Sequence, residues 1–296
     1  MFDFIKKISR LVLVNLWVVL SISIILFLLS KIFGININDR SGILLIIASV
    51  IWFGGALASL FLSKISAKSA YDMQMITLDN IHILDAKSQS IYNIINTLSS
   101  QNGINLPEIG IYTSSEPNAF ATWSSKNNCL IAVSTWLITL MKEDEIKWVL
   151  WHELTHVLNW DMVTMTLING VLNTFVFWLS RVVSMGMRWD NEKSSGYNPF
   201  VTLALERVLG FFGMIVSSRF SRIREYKADL WSAKIRNNKS YMLLALQKLS
   251  LYEWQYEVSS DTNSNLKIIS GKYFMNLFST HPKLQDRIVA LQNSDL

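Results

Sequence analysis

The chain has 296 residues, of which 51% are hydrophobic and only 17% charged, a balance that belongs to a membrane protein rather than an ordinary soluble enzyme. Its net charge of +5 does not mark a nucleic-acid binder, because the basic residues flank apolar runs instead of forming a stripe interleaved with stacking aromatics. The single cysteine, Cys129, excludes an internal disulfide and a thiolate metal cluster, and reads as a small buried apolar residue.

Leu11 to Ser30 carries no charge, nor does Ser41 to Ser63, and each run can cross roughly 30 Å of hydrocarbon as a helix. The first is too long for the apolar part of a signal peptide and reads as an uncleaved anchor. Lys6, Lys7 and Arg10 precede it, while Lys64 and Lys68 follow the second run. The positive-inside rule therefore puts the N-terminus and everything after Ser63 in the cytoplasm. Gly54, Gly55, Ala56, Ala58 and Ser59 read as small contacts that let the two helices approach. Residues 1–66 are expected to form a membrane anchor and residues 67–296 a cytoplasm-facing domain, interrupted by apolar helices at about 162–180 and 199–218.

Beyond Tyr71, Ile91, Ile94, Ile95 and Leu98 recur at helical spacing, and the helix should stop at Gly103. Glu108 to Tyr112, Asn118 to Trp123 and Cys129 to Val133 then read as strands of a small antiparallel sheet, separated by turn-rich segments. Asn118-Ala119-Phe120-Ala121 has the small-residue alternation of an edge strand beside which an extended peptide can add. Glu143, Asp144 and Glu145 open the next helix, their charges favourable at its positive end. No proline or glycine follows before Asn169, so this helix is expected to run straight into the uncharged segment Met162 to Ser180, either a third span or a buried hairpin helix. Val208 to Ser218, within the wider run from Pro199, is too short to span alone, and a helical, polar region begins at Tyr241. The expected class is mainly α with a small antiparallel sheet, an α+β integral membrane protein.

The chemistry lies in Trp151 to Asp161, WHELTHVLNWD. Residues four apart share one helix face, so His152 and His156 turn both imidazoles to one point, and Glu153 can reach a water held there. A third histidine beyond the motif is missing, since the corresponding positions hold Asn159 and Met162. A carboxylate must complete the set. Asp161 is read as too close along the same helix to fold back on the metal, and Asp190, Glu192 and Glu206 lie in or near a loop beyond the apolar segment. Glu225, in SRIREYKAD, is the better choice, with Asp229 on the same face placed to hold a ligand histidine through its other ring nitrogen.

These residues resemble the HtpX-type membrane zinc metalloproteases, relatives of the type I CAAX prenyl proteases. The resemblance rests on NAFAT at 118–122, VST at 133–135, HELTH, the run from Asn159 to Phe175, FSRIREYKAD at 220–229 and THP at 280–282. It implies an endopeptidase of a bacterial inner membrane with one zinc per chain, its site facing the cytoplasm. Substrates would be misfolded membrane proteins, in stress response and quality control, with functional overlap with other quality-control proteases. It assigns His152, His156 and Glu225 as ligands and Glu153 as base, and likens residues 118–121 to a substrate-binding edge. His281 and Arg287 take the place of donors to the developing oxyanion. The chain departs from its relatives at Lys227, where they have histidine, and at Lys283, where many have a second proline.

Two rival readings stand beside this one. A non-proteolytic scaffold with a structural metal is opposed by the complete ligand set and intact base. A prenyl-protein processing enzyme would need a large intramembrane chamber, more than four apolar segments are expected to enclose.

Overall fold

The computed structural model describes residues 39–186, 199–234, 239–261 and 281–294. The first apolar run, 11–30, lies outside the described residues. The chain divides into two compact units, one made of residues 1–59 and 164–217, the other of 60–163 and 218–296.

Among the described residues, three helices are long and apolar enough to cross a membrane. They are α1 (Asp39–Ala70) and two that appear in the chain order below, α5 (Asp161–Gly186) and α6 (Pro199–Lys234). In the first unit they hide little apolar surface. Ala48 and Trp178 form a small core with Leu44, Phe177, Leu179 and Val182 against it. Val50, Ile51, Phe200, Val208 and Phe212 are exposed, as side chains that face lipid must be. A close helix approach in this unit is at Gly170, where a Cβ would stand 3.2 Å from the Phe53 ring; at Gly54 and Gly55 nothing among the described residues lies within 4 Å. Among the few polar links here, Arg181 donates to Glu206 at 2.5 Å and lies over the Phe177 ring, and Ser217 donates to Asn169 at 2.7 Å. Such pairs satisfy groups that hydrocarbon cannot. The stretch 208–218 is thus the middle of a 36-residue helix rather than an isolated short segment.

The second unit carries β1 (Met73–Ile76), α2 (Ala86–Gln101), β2 (Glu108–Tyr112), β3 (Ala119–Ser125), β4 (Asn128–Ser134), α3 (Thr135–Leu140) and α4 (Glu143–Asn159). After the apolar helices come α7 (Ser240–Asp261) and α8 (Leu284–Gln292). Asp85 caps α2 by accepting from the Ser88 amide, and the helix ends before Gly103, whose φ of +61° suits a residue without a Cβ.

The four strands lie in the order β1-β2-β4-β3. β3 with β4 is antiparallel as expected, and β1, a strand not expected, is antiparallel to β2, but β2 with β4 is parallel, so the sheet is mixed. The cause is the connection at 113–118: it carries the chain past the position beside β2, the hairpin then folds β4 back into that position, and β3 is left on the edge. Alternation does the rest. Ile109, Ile111, Ile131, Val133 and Trp123 turn to one core with Ile91, Ile95 and Leu98 of α2 and Leu150, Leu154 and Val157 of α4. Lys64 and Lys68 at the end of α1, the basic flank of the second apolar run, both pair with Glu108.

The expected backbone also fails at the end of α4. The helix does not continue into the apolar segment; Trp160 takes a left-handed conformation, φ 63° and ψ 33°, and α5 starts anew at Asp161. No glycine or proline announces this break. A left-handed non-glycine residue costs about 1–2 kcal/mol, and the contacts it makes available are those of the site.

Candidate metal centre

α4 buries the first two ligand candidates and α6 the third. His152, His156 and Glu225 are each under one tenth exposed, and one ligand atom from each lies within 4.8 Å of the others. His156 Nε2 is 3.2 Å from His152 Nε2, His152 Nε2 is 3.3 Å from Glu225 Oε2, and His156 Nε2 is 3.5 Å from Glu225 Oε1. A tetrahedral zinc with donors at about 2.0–2.1 Å requires donor atoms about 3.3 Å apart. The three separations fit that requirement, and two imidazoles with one carboxylate form a donor set zinc takes readily.

The far side of each imidazole is also occupied. His156 Nδ1 donates to Asp161 Oδ2 at 2.6 Å, and His152 Nδ1 lies 2.9 Å from Asp229 Oδ1. Both contacts leave Nε2 to present its lone pair to the common point. Asp229 is held in turn by Arg287, which donates from Nε at 2.8 Å and from Nη2 at 2.6 Å. The remaining Arg287 nitrogen, Nη1, is 3.7 Å from Glu225. Burial pulls the His152 pKa down, but Asp229 and Glu225 outweigh it and hold the imidazole at about 9, so the point between the ligands strongly favours positive charge. Burial also weakens the Arg287 guanidinium, and Asp229 reverses that and keeps it charged.

Glu153 lines a cleft of about 590 Å³ together with His152, Glu225, Asn118 and Ala119. Burial raises its carboxyl pKa above the usual range, ahead of the opposing pull of the two imidazoles, which moves it toward the affinity for protons that a base needs. His281 and Arg287 line the same cleft. His281 is 68% exposed with Nδ1 3.4 Å from Glu225, whereas Arg287 is buried and committed to Asp229. The other wall is apolar, from Leu137, Val149, Met242, Leu246 and Leu249, and Tyr252 of α7 ties the 113–118 connection down by donating to the Ser115 carbonyl at 2.6 Å.

Of the edge residues, Asn118 and Ala119 reach the cleft, and Ala121 lies farther along β3. The Phe120 ring packs on Tyr71 and Tyr112 instead. Asp161 is a further member of the site. It does not approach the candidate metal point along the helix; the turn at Trp160 carries it back onto His156. Its one sequence signal is an acidic residue heading an apolar run, the usual mark of a helix start.

A match to Peptidase family M48 covers residues 85–295. Protease HtpX of Tolumonas auensis is 40% identical over 97% of this chain and 99% of its own length. Protease HtpX of Shewanella oneidensis is 39% identical and that of Actinobacillus pleuropneumoniae serotype 5b 36% identical, with the same coverage. The crystal structure of Ste24p from S. mikatae superposes with a TM-score of 0.59 at 20% identity, covering 95% of this chain and 66% of that one, a likeness of fold. Three apolar helices, a buried cluster of two histidines and a glutamate, and relatives matched from end to end place the chain in peptidase family M48, as an HtpX-type membrane metalloprotease.

Proposed function

We propose that this protease is a zinc endopeptidase of a bacterial inner membrane, its site facing the cytoplasm, that cleaves misfolded or damaged membrane proteins in stress response and quality control. Overlap with other quality-control proteases belongs to the same reading. The observation that carries it is the set of near-equal separations among His152, His156 and Glu225, with the Glu153 carboxyl in the adjoining cleft.

His152, His156 and Glu225 would hold one zinc ion, which when bound polarises the scissile carbonyl and acidifies a water. Asp229 and Asp161 orient the two imidazoles, and Arg287 fixes Asp229. The substrate lies extended along residues 118–121 of the β3 edge. Glu153 takes a proton from the attacking water and delivers it to the leaving amine, so no acyl-enzyme forms. His281, exposed at the cleft, donates to the oxyanion as it develops. Arg287 supports that charge from behind, through the one nitrogen not committed to Asp229.

The test is cleavage of a loosely folded protein by detergent-purified, zinc-loaded protein, beside Glu153→Gln with zinc measured on both. A loss of about 10²-fold or more at equal zinc content is expected. Equal rates would overturn the role of Glu153. A reporter fused at Asn191, expected to be non-cytoplasmic, tests the orientation.

A further inference from the structure

β3 is an edge strand, and in an antiparallel pair only alternate residues turn their backbone groups away from the partner. The Ser134 amide donates to the Asn118 carbonyl at 2.9 Å, so Asn118, Phe120 and Thr122 face β4. Ala119, Ala121 and Trp123, opposite Val133, Ile131 and Cys129, face outward. At Trp123 that outward edge is already taken. Its N–H donates to the Met162 sulfur at 3.5 Å, and the Thr122 hydroxyl lies 3.8 Å from the same atom.

Met162 stands in the first turn of α5, directly after the left-handed Trp160 and Asp161. A thioether is a weak acceptor. It serves the Trp123 amide only modestly, but its volume fills the place where the next strand would lie, and it spares that amide from being orphaned. Nothing else among the described residues pairs with the outer edge of β3.

We infer that Met162 is a specificity-determining residue: it closes the β3 edge at Trp123, so that a polypeptide substrate pairs through Ala119 and Ala121 alone and must leave the sheet there. The inference rests on the reading of β3 as the substrate-pairing edge. With outward residues spaced two apart, such pairing engages a segment of about four residues. A chain that has lost structure over a short stretch then suffices as substrate, and a long preformed strand offers no advantage.

The test uses unstructured peptides that share one cleavage site and are lengthened one residue at a time from either end, with kcat/KM measured on the full-length, zinc-loaded protein. In the parent, kcat/KM rises with length and levels off, sooner at the end that runs toward Trp123. In Met162→Ala the rise at that end continues for two more residues, by about 2- to 10-fold, the worth of one further pair of strand hydrogen bonds. Met162→Leu, which keeps the volume without the acceptor, levels where the parent does. If Met162→Ala levels with the parent, the role of Met162 is overturned and the edge reading stands. If the parent does not respond to length at either end, the edge reading fails and takes the inference with it. A second readout needs neither metal nor turnover: amide exchange at Trp123 in the metal-free protein is expected to quicken in Met162→Ala, and an unchanged rate would overturn the contact itself.

Discussion

Each histidine of the candidate metal centre is backed by an aspartate, but the two aspartates are built differently. Asp229 comes from another helix, is almost wholly buried, and shares its carboxylate between His152 and the two-pronged grip of Arg287. Asp161 comes from five residues along the chain and reaches His156 only because Trp160 turns the backbone. One is a member of a charge network and the other is the product of a local bend. Their removal should therefore do different damage.

The largest effect is expected at Asp229. Asp229→Ala leaves the buried Arg287 guanidinium without its partner, and breaking such a pair costs about 3–5 kcal/mol. Thermal unfolding of the purified protein should show the loss, and Asp229→Leu combined with Arg287→Met should recover much of it. A double variant no more stable than Asp229→Ala would end the account of Asp229 as a charge partner. Asp161→Ala takes a carboxylate from the His156 ring and from near the Arg224 guanidinium, but breaks no two-pronged grip. Its expected signature is zinc binding weakened by about 10- to 100-fold, with the metal-free protein destabilised by about 1–3 kcal/mol for the buried imidazole N–H left without its acceptor, read by competition with a chelator and by denaturant unfolding.

A smaller effect isolates the bend. Trp160→Gly adopts positive φ freely and should keep zinc affinity within about threefold, whereas Trp160→Val, β-branched and strained there, should weaken it by about 10-fold as the turn deforms. Equal affinities in the two variants would mean that the turn does not govern Asp161. The smallest effect comes from a third aspartate, one with no charged partner among the described residues. Asp85 caps α2 and its carboxyl is held below its usual range, chiefly by the Ser88 hydroxyl. A depressed carboxylate stabilises the fold above its unfolded pKa of about 3.9, and that contribution is lost as pH falls through the lower folded value. Asp85→Ala should cost about 1 kcal/mol near neutral pH, and the gap to the parent should narrow in acid.

How far each aspartate could be read from the sequence follows from the same difference. Glu225 and Asp229 are four apart, and helical periodicity alone puts them on one face. The HELTH pair obeys the same rule, so most of the centre was legible wherever a regular helix carried it. The helix to Gly103 and the three strands from Glu108 to Ser134 were legible too, since alternation and turn residues mark them. Asp161 was not, because regular geometry directs its side chain away from His156, and Trp160 carries no chemical sign of a left-handed residue. The parallel pairing of β2 with β4 was hidden for a related reason: a six-residue connection can make a hairpin or skip a position, and only the packed sheet decides between them. β1, four residues with a partner more than thirty positions away, left no pattern long enough to see.

The spacing of the metal centre along the chain also sets its timing. His152 and Glu225 are 73 residues apart with two apolar helices begun between them, and Arg287 follows His152 by 135 residues. At about 5–20 residues per second a ribosome needs roughly 7–27 s to cover that last interval. For the first 73 residues of that interval the nascent chain has Glu153 and both HELTH imidazoles without Glu225, and for the rest it lacks the Arg287 guanidinium that grips Asp229. If His152, His156 and Glu225 hold the zinc as proposed, the donor set is complete only after the chain has made α5 and begun α6, a delay written into the order of its residues.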